Sequence, residues 1–137
     1  MKKKILIAGQ EGMVGLAVYK LLKKKNLYKI IDCPRKKLDL TDLNKVEKFF
    51  KIHKPHLVIN CAGRVGGILD NASYQDEYLY TNTMIGLNLV KMSFKYNVKK
   101  LINLGSACIY PKKTNQPINE DYLLSSSLEK TNEGYAL

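Results

Sequence analysis

Short apolar segments alternate with longer amphipathic segments along the chain, and this alternation predicts β-strands that alternate with α-helices. One segment, His56–Cys61, is apolar almost throughout, as is typical of a parallel strand buried on both faces. The predicted strands are Lys3–Ala8, Lys29–Cys33, His56–Cys61 and Lys100–Leu104, the last of them also buried. The predicted helices are Val14–Lys24, Leu43–His53 and Ser73–Tyr96.

Apolar residues at spacings of three, four or seven define the faces on which the helices are expected to pack. For the first and third helices, these residues are Val14, Val18, Leu21 and Leu22, and Tyr78, Ile85, Leu89, Met92 and Tyr96. Thr41 or Asp42 is positioned to cap the second helix. Two loops, Arg64–Asn71 and Gly105–Pro117, complete the order of elements.

Strands that alternate with helices imply right-handed crossovers and therefore a parallel sheet with helices on both faces. The sequence thus predicts the α/β class and a Rossmann-type, doubly wound parallel sheet. Its 137 residues suit one domain. In sheets of this kind, ligands bind at the carboxyl ends of the strands.

The first predicted strand ends in three spaced glycines, and the helix pattern follows them at once. In a dinucleotide-binding turn, Gly9 would permit the tight turn, Gly12 would let the backbone approach a pyrophosphate, and Gly15 would let the helix pack closely on the strand. The pyrophosphate would then lie at the helix amino terminus. Glycine also serves ordinary turns, so the motif alone is weak evidence.

Other informative segments also follow predicted strands, and this coincidence strengthens the prediction of a dinucleotide site. The segments are Gly9–Gly12, Arg35, Ala62–Gly67 and Ser106–Tyr110. After the second strand, Asp32 is typical of the acidic residue that takes the ribose hydroxyls of NAD, whereas Arg35 and the lysines after it favour the 2′-phosphate of NADP. The basic run is equally compatible with a solvated turn.

A hydroxyl and a thiol lie two residues apart after the last strand, at Ser106 and Cys108, where both can face one cleft. A thiolate can remove a proton made acidic by a neighbouring carbonyl, and a phenol such as that of Tyr135 can donate one. Each residue also has a structural interpretation, because a buried cysteine is commonly a small apolar residue and a tyrosine near a terminus commonly packs.

The net charge of +11 suggests nucleic-acid binding as one function class. Only Arg35 and Arg64 are arginines among the 23 basic residues, however, and arginine is the usual reader of bases and phosphates. The lysine excess therefore indicates a compositional bias, and no specific nucleic-acid partner is expected.

The apolar run near the amino terminus is too short for a signal peptide or a membrane span, so no membrane association is expected. Cys33, Cys61 and Cys108 are odd in number and lack the spacing of metal ligands. This pattern predicts reduced thiols, a cytoplasmic location and no metal site. His53 and His56 are expected in a loop.

Five blocks of the sequence are together more specific than the glycines alone. They are G-x-x-G-M-V-G at Gly9–Gly15, V-G-G-I at Val65–Ile68 followed by Asn71 and Tyr74, L-G-S-x-C-I-Y-P at Leu104–Pro111, Q-P-I-x-E at Gln116–Glu120, and L-E-x-T-N-E-x-Y-A at Leu128–Ala136. Over essentially the whole chain, these blocks resemble the GDP-L-fucose synthase family. Its members are extended short-chain dehydrogenases/reductases, also named GDP-4-keto-6-deoxy-D-mannose 3,5-epimerase-4-reductases.

The resemblance implies a role for each matching residue. Ser106 would bind the sugar keto oxygen, Cys108 would remove protons at C3 and C5, and Tyr135 would donate a proton as NADPH delivers hydride to C4. Arg35 would contact the 2′-phosphate. The other residues implied in cofactor binding are Gly9, Gln10, Glu11, Gly12, Met13, Val14, Gly15, Asp39, Leu40, Ala62 and Gly63. The implied cofactor is NADP, with NAD left open, and the implied substrate is a GDP-4-keto-6-deoxy sugar, contacted by Ser106 and Cys108.

Three residues depart from the family pattern. Glu11 stands where arginine is common, and a carboxylate there would repel a 2′-phosphate at close range. Ala107 replaces a frequent serine and Gly134 a frequent proline. These two changes are expected to loosen the start of the helix that contains Tyr135.

The chain ends at Leu137, before the lysine of the family's Y-x-x-x-K motif and before its C-terminal substrate domain. Residues 1–137 are therefore expected to be the N-terminal part of a dinucleotide-binding domain, with an incomplete sheet, exposed apolar surface, marginal stability and no activity alone. The full-length family member would be a homodimer.

Three hypotheses follow. The first is an NADP-dependent epimerase and reductase of GDP-sugar metabolism, or a relative that acts on another GDP-4-keto sugar. The second is a non-catalytic dinucleotide-binding module or a degenerate remnant. The third is a basic protein associated with nucleic acid, and the scarcity of arginine counts against it.

Overall fold

The computed structural model describes residues 2–137 as parallel strands, helices and short 3-10 turns. The strands are β1 (Lys4–Ala8), β2 (Lys29–Ile31), β3 (Leu57–Asn60) and β4 (Lys100–Asn103). The helices are α1 (Met13–Lys25), α2 (Leu43–His53), α3 (Ile68–Ser73), α4 (Gln75–Lys95) and α5 (Glu133–Ala136). The 3-10 turns are Ala107–Ile109, Glu120–Tyr122 and Lys130–Asn132.

The chain divides into two compact units. The first unit comprises the chain up to residue 63 together with residues 83–104, and it contains the strands, α1, α2 and most of α4. The second unit comprises residues 64–82 and 105–137, and it contains α3, the start of α4, the three turns and α5.

The sheet of the first unit is entirely parallel, with the strand order β2-β1-β3-β4. Ile5 lies opposite Ile30 on one side and Leu57 on the other, so β1 is a central strand. This arrangement confirms the predicted α/β class and Rossmann-type fold. The apolar core combines inward residues of the strands with residues of α2 and α4. Its buried members are Leu6, Ala8, Ile31, Cys33, Leu38, Val46, Phe50, Val58, Ile85, Leu89 and Met92.

The prediction that the last strand is buried is wrong. In the described sheet β4 lies at an edge and pairs only with β3, so Ile102 remains 41% exposed. Strand β3 is also buried on one face only, since Val58 and Asn60 are buried while Leu57 and Ile59 are half-buried. An apolar run reports a preference for burial, whereas the number of neighbours that cover each face depends on tertiary structure.

The predicted apolar face of α1 is partly wrong. Val18 and Leu22 are partly buried, but Val14 and Leu21 are 47% and 53% exposed. The buried row begins at Gly15, from which Val18 and Leu22 follow at spacings of three and four. Because a residue without a side chain begins this row, apolar periodicity alone did not locate the buried face correctly.

Two predicted boundaries around the glycine-bearing loop change. The loop ends at Gly67, because Asn71 N–H bonds to the Gly67 carbonyl at 3.0 Å and starts α3 inside the predicted loop. The long helix that was predicted over Ser73–Tyr96 is α4, which begins at Gln75 and is separated from α3 by Tyr74. Its predicted buried positions are confirmed: Tyr78, Ile85, Leu89 and Met92 are buried, and Tyr96 is half-buried.

Asp42 is the cap of α2, as predicted for Thr41 or Asp42. Its carboxylate accepts the Lys45 N–H at 3.1 Å. The helix has its predicted bounds, Leu43–His53, so the separate expectation of a loop at His53 is wrong, whereas His56 does lie in the connection to β3. His56 Nδ1 accepts the Lys4 N–H at 3.1 Å, so this histidine helps to fix the start of β1.

Candidate functional site

The turn after β1 has the geometry that its glycines require. Gly9 has a φ of 77°, and a Cβ on it would lie 2.7 Å from the Ala62 nitrogen. Gly12 N–H closes the turn on the Gly9 carbonyl at 3.0 Å. A Cβ on Gly15 would overlap that same carbonyl oxygen, so α1 can approach the turn only because this residue is glycine.

The amino terminus of α1 is suited to an anion. Its cap is Gly12, which offers no side-chain hydrogen bond, and the first turn of the helix contains no acidic residue. Free N–H groups and the positive end of the helix dipole therefore meet at one point. Met13 is 88% exposed and Gly12 is exposed, which leaves this terminus accessible. A pyrophosphate fits these residues.

The end of β2 is tied to the glycine turn by side chains. The amide nitrogen of Gln10 donates to Asp32 Oδ1 at 3.0 Å, and Lys37 Nζ lies 2.8 Å from Asp32 Oδ2. The hydrogen bond from Lys37, followed by that from Gln10, lowers the pKa of Asp32. Glu11 accepts the Arg35 N–H at 2.8 Å. None of these three connections was predicted from the sequence.

The segment before α2 is also fixed. Asp39 Oδ1 accepts the Thr41 N–H at 2.9 Å, and the Thr41 hydrogen bonds lower the pKa of Asp39. Buried Asn88 of α4 donates to the Leu40 and Thr41 carbonyls at 2.9 and 3.0 Å. Sequence analysis missed Asn88, although a polar residue at the position before Leu89 on an apolar helix face was a usable signal.

The segment after β3 is positioned by a pair of asparagines. Asn60 accepts the Ala62 N–H at 3.0 Å and donates to Asn103 Oδ1 at 2.7 Å. The backbone of Ala62 is thereby held next to Gly9. Gly9 and Ala62, two of the predicted cofactor residues, are thus neighbours, and Gly63 belongs to the same unit.

In the second unit, Ser106 and Cys108 are neighbours across a 3-10 turn. Ser106 Oγ accepts the Cys108 N–H at 3.3 Å and so caps the turn Ala107–Ile109. The Cys108 sulfur in turn accepts a hydrogen bond from the Asn132 amide at 3.3 Å. The structure therefore adds Asn132 to the predicted residues, and this asparagine lies in the T-N-E-x-Y block of the sequence.

Tyr135 lies in α5, and its ring meets the ring of Tyr78 edge to face, with 6.2 Å between the centroids. Gly134 is buried against Gln75: its N–H donates to Gln75 Oε1 at 3.0 Å, and a Cβ on it would overlap the Gln75 carbonyl. Gln75 also donates to the Lys130 carbonyl at 2.9 Å. The expectation that Gly134 loosens this helix start stays a prediction, and the structure shows that Gly134 makes a bond for which proline has no N–H.

The loop that begins at Arg64 is held by several side chains. Asn82 accepts the Arg64 N–H at 2.7 Å and donates to the Arg64 carbonyl at 3.1 Å. The Arg64 guanidinium pairs with Glu77 and lies 4.8 Å from the centroid of the Tyr78 ring. Tyr78 donates to Asp70, and this bond raises the pKa of Tyr78. These contacts satisfy Arg64 within its own unit and explain its burial against the tyrosine.

The three cysteines are free thiols. Burial raises the pKa of Cys33 to about 11, with smaller contributions from the charges of Asp32 and Glu11, and burial also raises the pKa of Cys61. Within residues 2–137, no group of three His, Cys, Asp or Glu side chains is placed to hold a metal ion. None of the helices in this part of the chain is long and apolar enough to cross a bilayer.

Comparisons with known proteins agree on one family. The model of the NAD dependent epimerase/dehydratase family matches residues 5–137. A GDP-L-fucose synthase from Sinorhizobium fredii is 46% identical over 135 residues, which cover 98% of this chain and 43% of that protein. A GDP-L-colitose synthase from Yersinia pseudotuberculosis is 42% identical over 134 residues, with the same coverage of 98% and 43%. The chain spans less than half the length of these curated relatives.

Solved structures give the same result. The GDP-mannoheptose C4 reductase MlghC from Campylobacter jejuni, with NADP bound, superposes with a TM-score of 0.94 at 35% identity, covering 98% of this chain and 40% of that one. A GDP-L-fucose synthetase from Naegleria fowleri bound to NADP superposes with a TM-score of 0.88 at 30% identity, with coverage of 98% and 40%.

Proposed function

The chain belongs to the NAD dependent epimerase/dehydratase family, and from this premise we propose that it is the N-terminal part of an NADP-dependent enzyme that makes GDP-L-fucose. The proposed reaction inverts C3 and C5 of GDP-4-keto-6-deoxy-mannose and reduces its C4 keto group. The observation that carries the proposal is the grouping of Ser106, Cys108 and Tyr135 in one compact unit of a chain 46% identical to a GDP-L-fucose synthase.

In the epimerisation, the Cys108 thiolate removes the proton from C3 and, in a second round, from C5. The electron pair moves onto the C4 oxygen as an enolate, and a general acid, which the whole protein would supply from outside residues 1–137, delivers a proton to the opposite face and inverts the carbon. The Cys108 thiol returns its proton to solvent before the second round. Ser106 Oγ accepts the Cys108 N–H, so its own O–H is available to donate to the oxygen where this charge develops. The amide of Asn132 holds the sulfur in place through its hydrogen bond.

In the reduction, the Tyr135 hydroxyl donates its proton to the C4 oxygen. When bound, NADPH supplies the hydride for C4. The packing of Tyr135 against Tyr78, together with the seating of Gly134 on Gln75, fixes the phenol in α5. A positioned acid of this kind contributes about 10²–10⁴-fold to a proton transfer.

The proposed cofactor site lies in the first unit. The open amino terminus of α1 would bind the pyrophosphate, and Arg35 would contact the 2′-phosphate. The other proposed contacts are Gly9, Gln10, Glu11, Gly12, Met13, Val14, Gly15, Asp39, Leu40, Ala62 and Gly63. NADP is preferred to NAD in this proposal because two solved relatives carry NADP and because basic residues follow β2.

The proposal concerns the whole protein of which these residues are a part. Since the chain covers 43% of its relatives' length, residues 1–137 alone are proposed not to complete the reaction. A cytoplasmic location is included because the three cysteines are free thiols. A homodimer is also proposed, and its support is an exposed apolar face of α4 formed by Leu87, Val90 and Phe94.

A second candidate function is the same chemistry on a related sugar. The 42% identity to a GDP-L-colitose synthase, only slightly below that to the fucose enzyme, favours this alternative. It shares the proposed roles of Ser106, Cys108 and Tyr135, so the two candidates differ only in the sugar that is accepted.

The test separates the two proton-transfer steps in the natural polypeptide that contains these residues. In D2O with GDP-4-keto-6-deoxy-mannose, Cys108→Ser should abolish deuterium incorporation at C3 and C5. Tyr135→Phe should retain that exchange and lose NADPH oxidation. Cys61→Ser is the matched control and should behave as wild type. Exchange that survives in Cys108→Ser would overturn the assigned base, and rapid reduction by Tyr135→Phe would overturn the assigned acid.

A further inference from the structure

Asp32 occupies the position at the end of β2 where an acidic residue ordinarily takes the ribose hydroxyls of NAD. Here both of its carboxylate oxygens already have donors from the protein. Oδ1 accepts the Gln10 amide at 3.0 Å, and Oδ2 lies 2.8 Å from the Lys37 ammonium. The acidic residue that would select NAD is therefore paired with protein groups before any cofactor arrives.

We propose that Lys37, supported by Gln10, masks Asp32 and thereby determines the choice of NADP over NAD. The inference rests on the cofactor site of the proposed function and adds a residue to its specificity. Lys37 removes the repulsion that a free carboxylate would exert on a 2′-phosphate, and it places two further N–H donors of its ammonium beside that group.

The pair has no substantial role in folding stability. The side chains of Lys37 and Asp32 are 66% and 67% exposed, and ion pairs this exposed contribute little to stability because water screens them. A substitution of Lys37 can therefore change the charge at the ribose position without unfolding the protein. Measurements of cofactor binding therefore test the proposal without interference from unfolding.

Gln10 contributes to the masking because it donates a hydrogen bond to one carboxylate oxygen of Asp32. It is 8% exposed, in the middle of the glycine turn, and its amide nitrogen is directed at Asp32. Its Oε1 is buried without a protein partner among the described residues. Buried amides are normally satisfied, and both lone pairs of this oxygen are unused beside the proposed cofactor site.

The second carboxylate of this region, that of Glu11, also accepts a hydrogen bond from the protein. Glu11 accepts the Arg35 N–H at 2.8 Å, which leaves the Arg35 and Lys36 side chains as cations of the same loop. The predicted repulsion between Glu11 and a 2′-phosphate is thus opposed by three basic side chains, of which Lys37 is the one that contacts a carboxylate at the ribose position.

The experiment measures dissociation constants for NADPH and for NADH with the natural polypeptide that contains these residues, by titration calorimetry. Lys37→Gln should shift the ratio of the two constants toward NADH by about tenfold, because it weakens NADPH binding and frees Asp32 for the ribose hydroxyls. Lys36→Gln removes the same charge without freeing Asp32, so it should weaken NADPH and leave NADH unchanged. Thermal unfolding of each variant verifies that it is folded.

Asp32→Asn supplies an independent test. A masked Asp32 contributes nothing to NADH binding, so this variant should bind NADH within about twofold of wild type, and the gain in Lys37→Gln should disappear in the double variant. A tenfold loss of NADH binding in Asp32→Asn, or the same gain in the double variant, would overturn the proposal. If wild type binds neither cofactor, the proposed function fails; if it binds NADPH and Lys37→Gln leaves the ratio unchanged, only the masking fails.

Discussion

The side-chain amide of Asn132 donates a hydrogen bond to the sulfur of Cys108 at 3.3 Å. This bond holds the sulfur in place beside the 3-10 turn that Ser106 caps. Asn132 is therefore a positioning residue for the proposed base. Asn132 and Tyr135 belong to the same block of sequence, so one short segment both contacts the proposed base and contains the proposed acid.

The first prediction concerns this hydrogen bond. Asn132→Ala should slow deuterium incorporation at C3 and C5 of the substrate by about tenfold in the natural polypeptide, because the Cys108 sulfur loses the donor that holds it in place. Nuclear magnetic resonance in D2O measures the rate, and Cys61→Ser is the reference that should exchange as wild type does. Exchange at the wild-type rate in Asn132→Ala would contradict a positioning role for this bond.

The second prediction concerns the contact of α5 with Gln75. Gly134→Ala should lower the free energy of unfolding by about 1–3 kcal/mol, because its Cβ would overlap the backbone of Gln75. Gly134→Pro should be at least as harmful, since it also removes the N–H that bonds to Gln75 Oε1. Urea denaturation measures both.

Gly86→Ala is the matched control, because a Cβ on this residue of α4 meets nothing within 4 Å. It should be neutral or raise stability by about 0.5–1 kcal/mol through helix propensity. Equal effects of alanine at positions 134 and 86 would contradict the close approach of Gly134 to Gln75.

The third prediction concerns the turn after β1. Gly9→Ala should weaken NADPH binding by at least about tenfold, because alanine is strained at a φ of 77° and its Cβ would push against Ala62. Titration calorimetry checks this, with Gly86→Ala again as the control. Wild-type affinity in Gly9→Ala would mean that this turn does not bind the cofactor.

The fourth prediction is a pH dependence. The Lys45 N–H and side chain lower the pKa of Asp42 below its ordinary value of 3.8. The contribution of this cap to stability is therefore complete above pH 3.8 and is lost as the pH falls through the lowered pKa. Asp42→Ala should reduce the Tm at pH 7, and the difference in Tm from wild type should shrink as the pH falls below 3.8. Asp42→Asn, which can still accept the bond, should retain most of the stability; a reduction as large as that of alanine would contradict the capping role.

The fifth prediction concerns the exposed face of α4. Leu87, Val90 and Phe94 are 58%, 51% and 88% exposed and share one side of the helix. Phe94→Glu should convert a dimer of the natural polypeptide into a monomer in light scattering, because it introduces a charge into an apolar interface. Leu27→Glu makes a comparable change at another exposed apolar position and should leave the dimer intact. A monomeric wild type would contradict the proposed interface.

Local sequence patterns predicted the elements of this fold well. The apolar run from Ile5 to Ala8, the cap at Asp42 and the spacing of Tyr78, Ile85 and Leu89 each express a preference of the local chain, and each appears in the structure as predicted. The glycine turn was also predictable, because only glycine adopts a φ of 77° there without strain.

Tertiary relationships were not predictable in the same way. The exposure of β4 depends on its place in the strand order, and the buried row of α1 depends on a contact between Gly15 and Gly9. The pairing of Lys37 with Asp32 likewise depends on how the loop after β2 folds back. Sequence periodicity carries no information on such pairs, whereas the resemblance of whole blocks predicted the family correctly.

The proposed epimerase and reductase activity is tested most sharply by identifying the product that the wild-type natural polypeptide forms in D2O from GDP-4-keto-6-deoxy-mannose and NADPH. Nuclear magnetic resonance of the product should identify GDP-L-fucose with deuterium at both C3 and C5. A reduced product without deuterium at these carbons, or no oxidation of NADPH at all, would contradict the proposed epimerase and reductase.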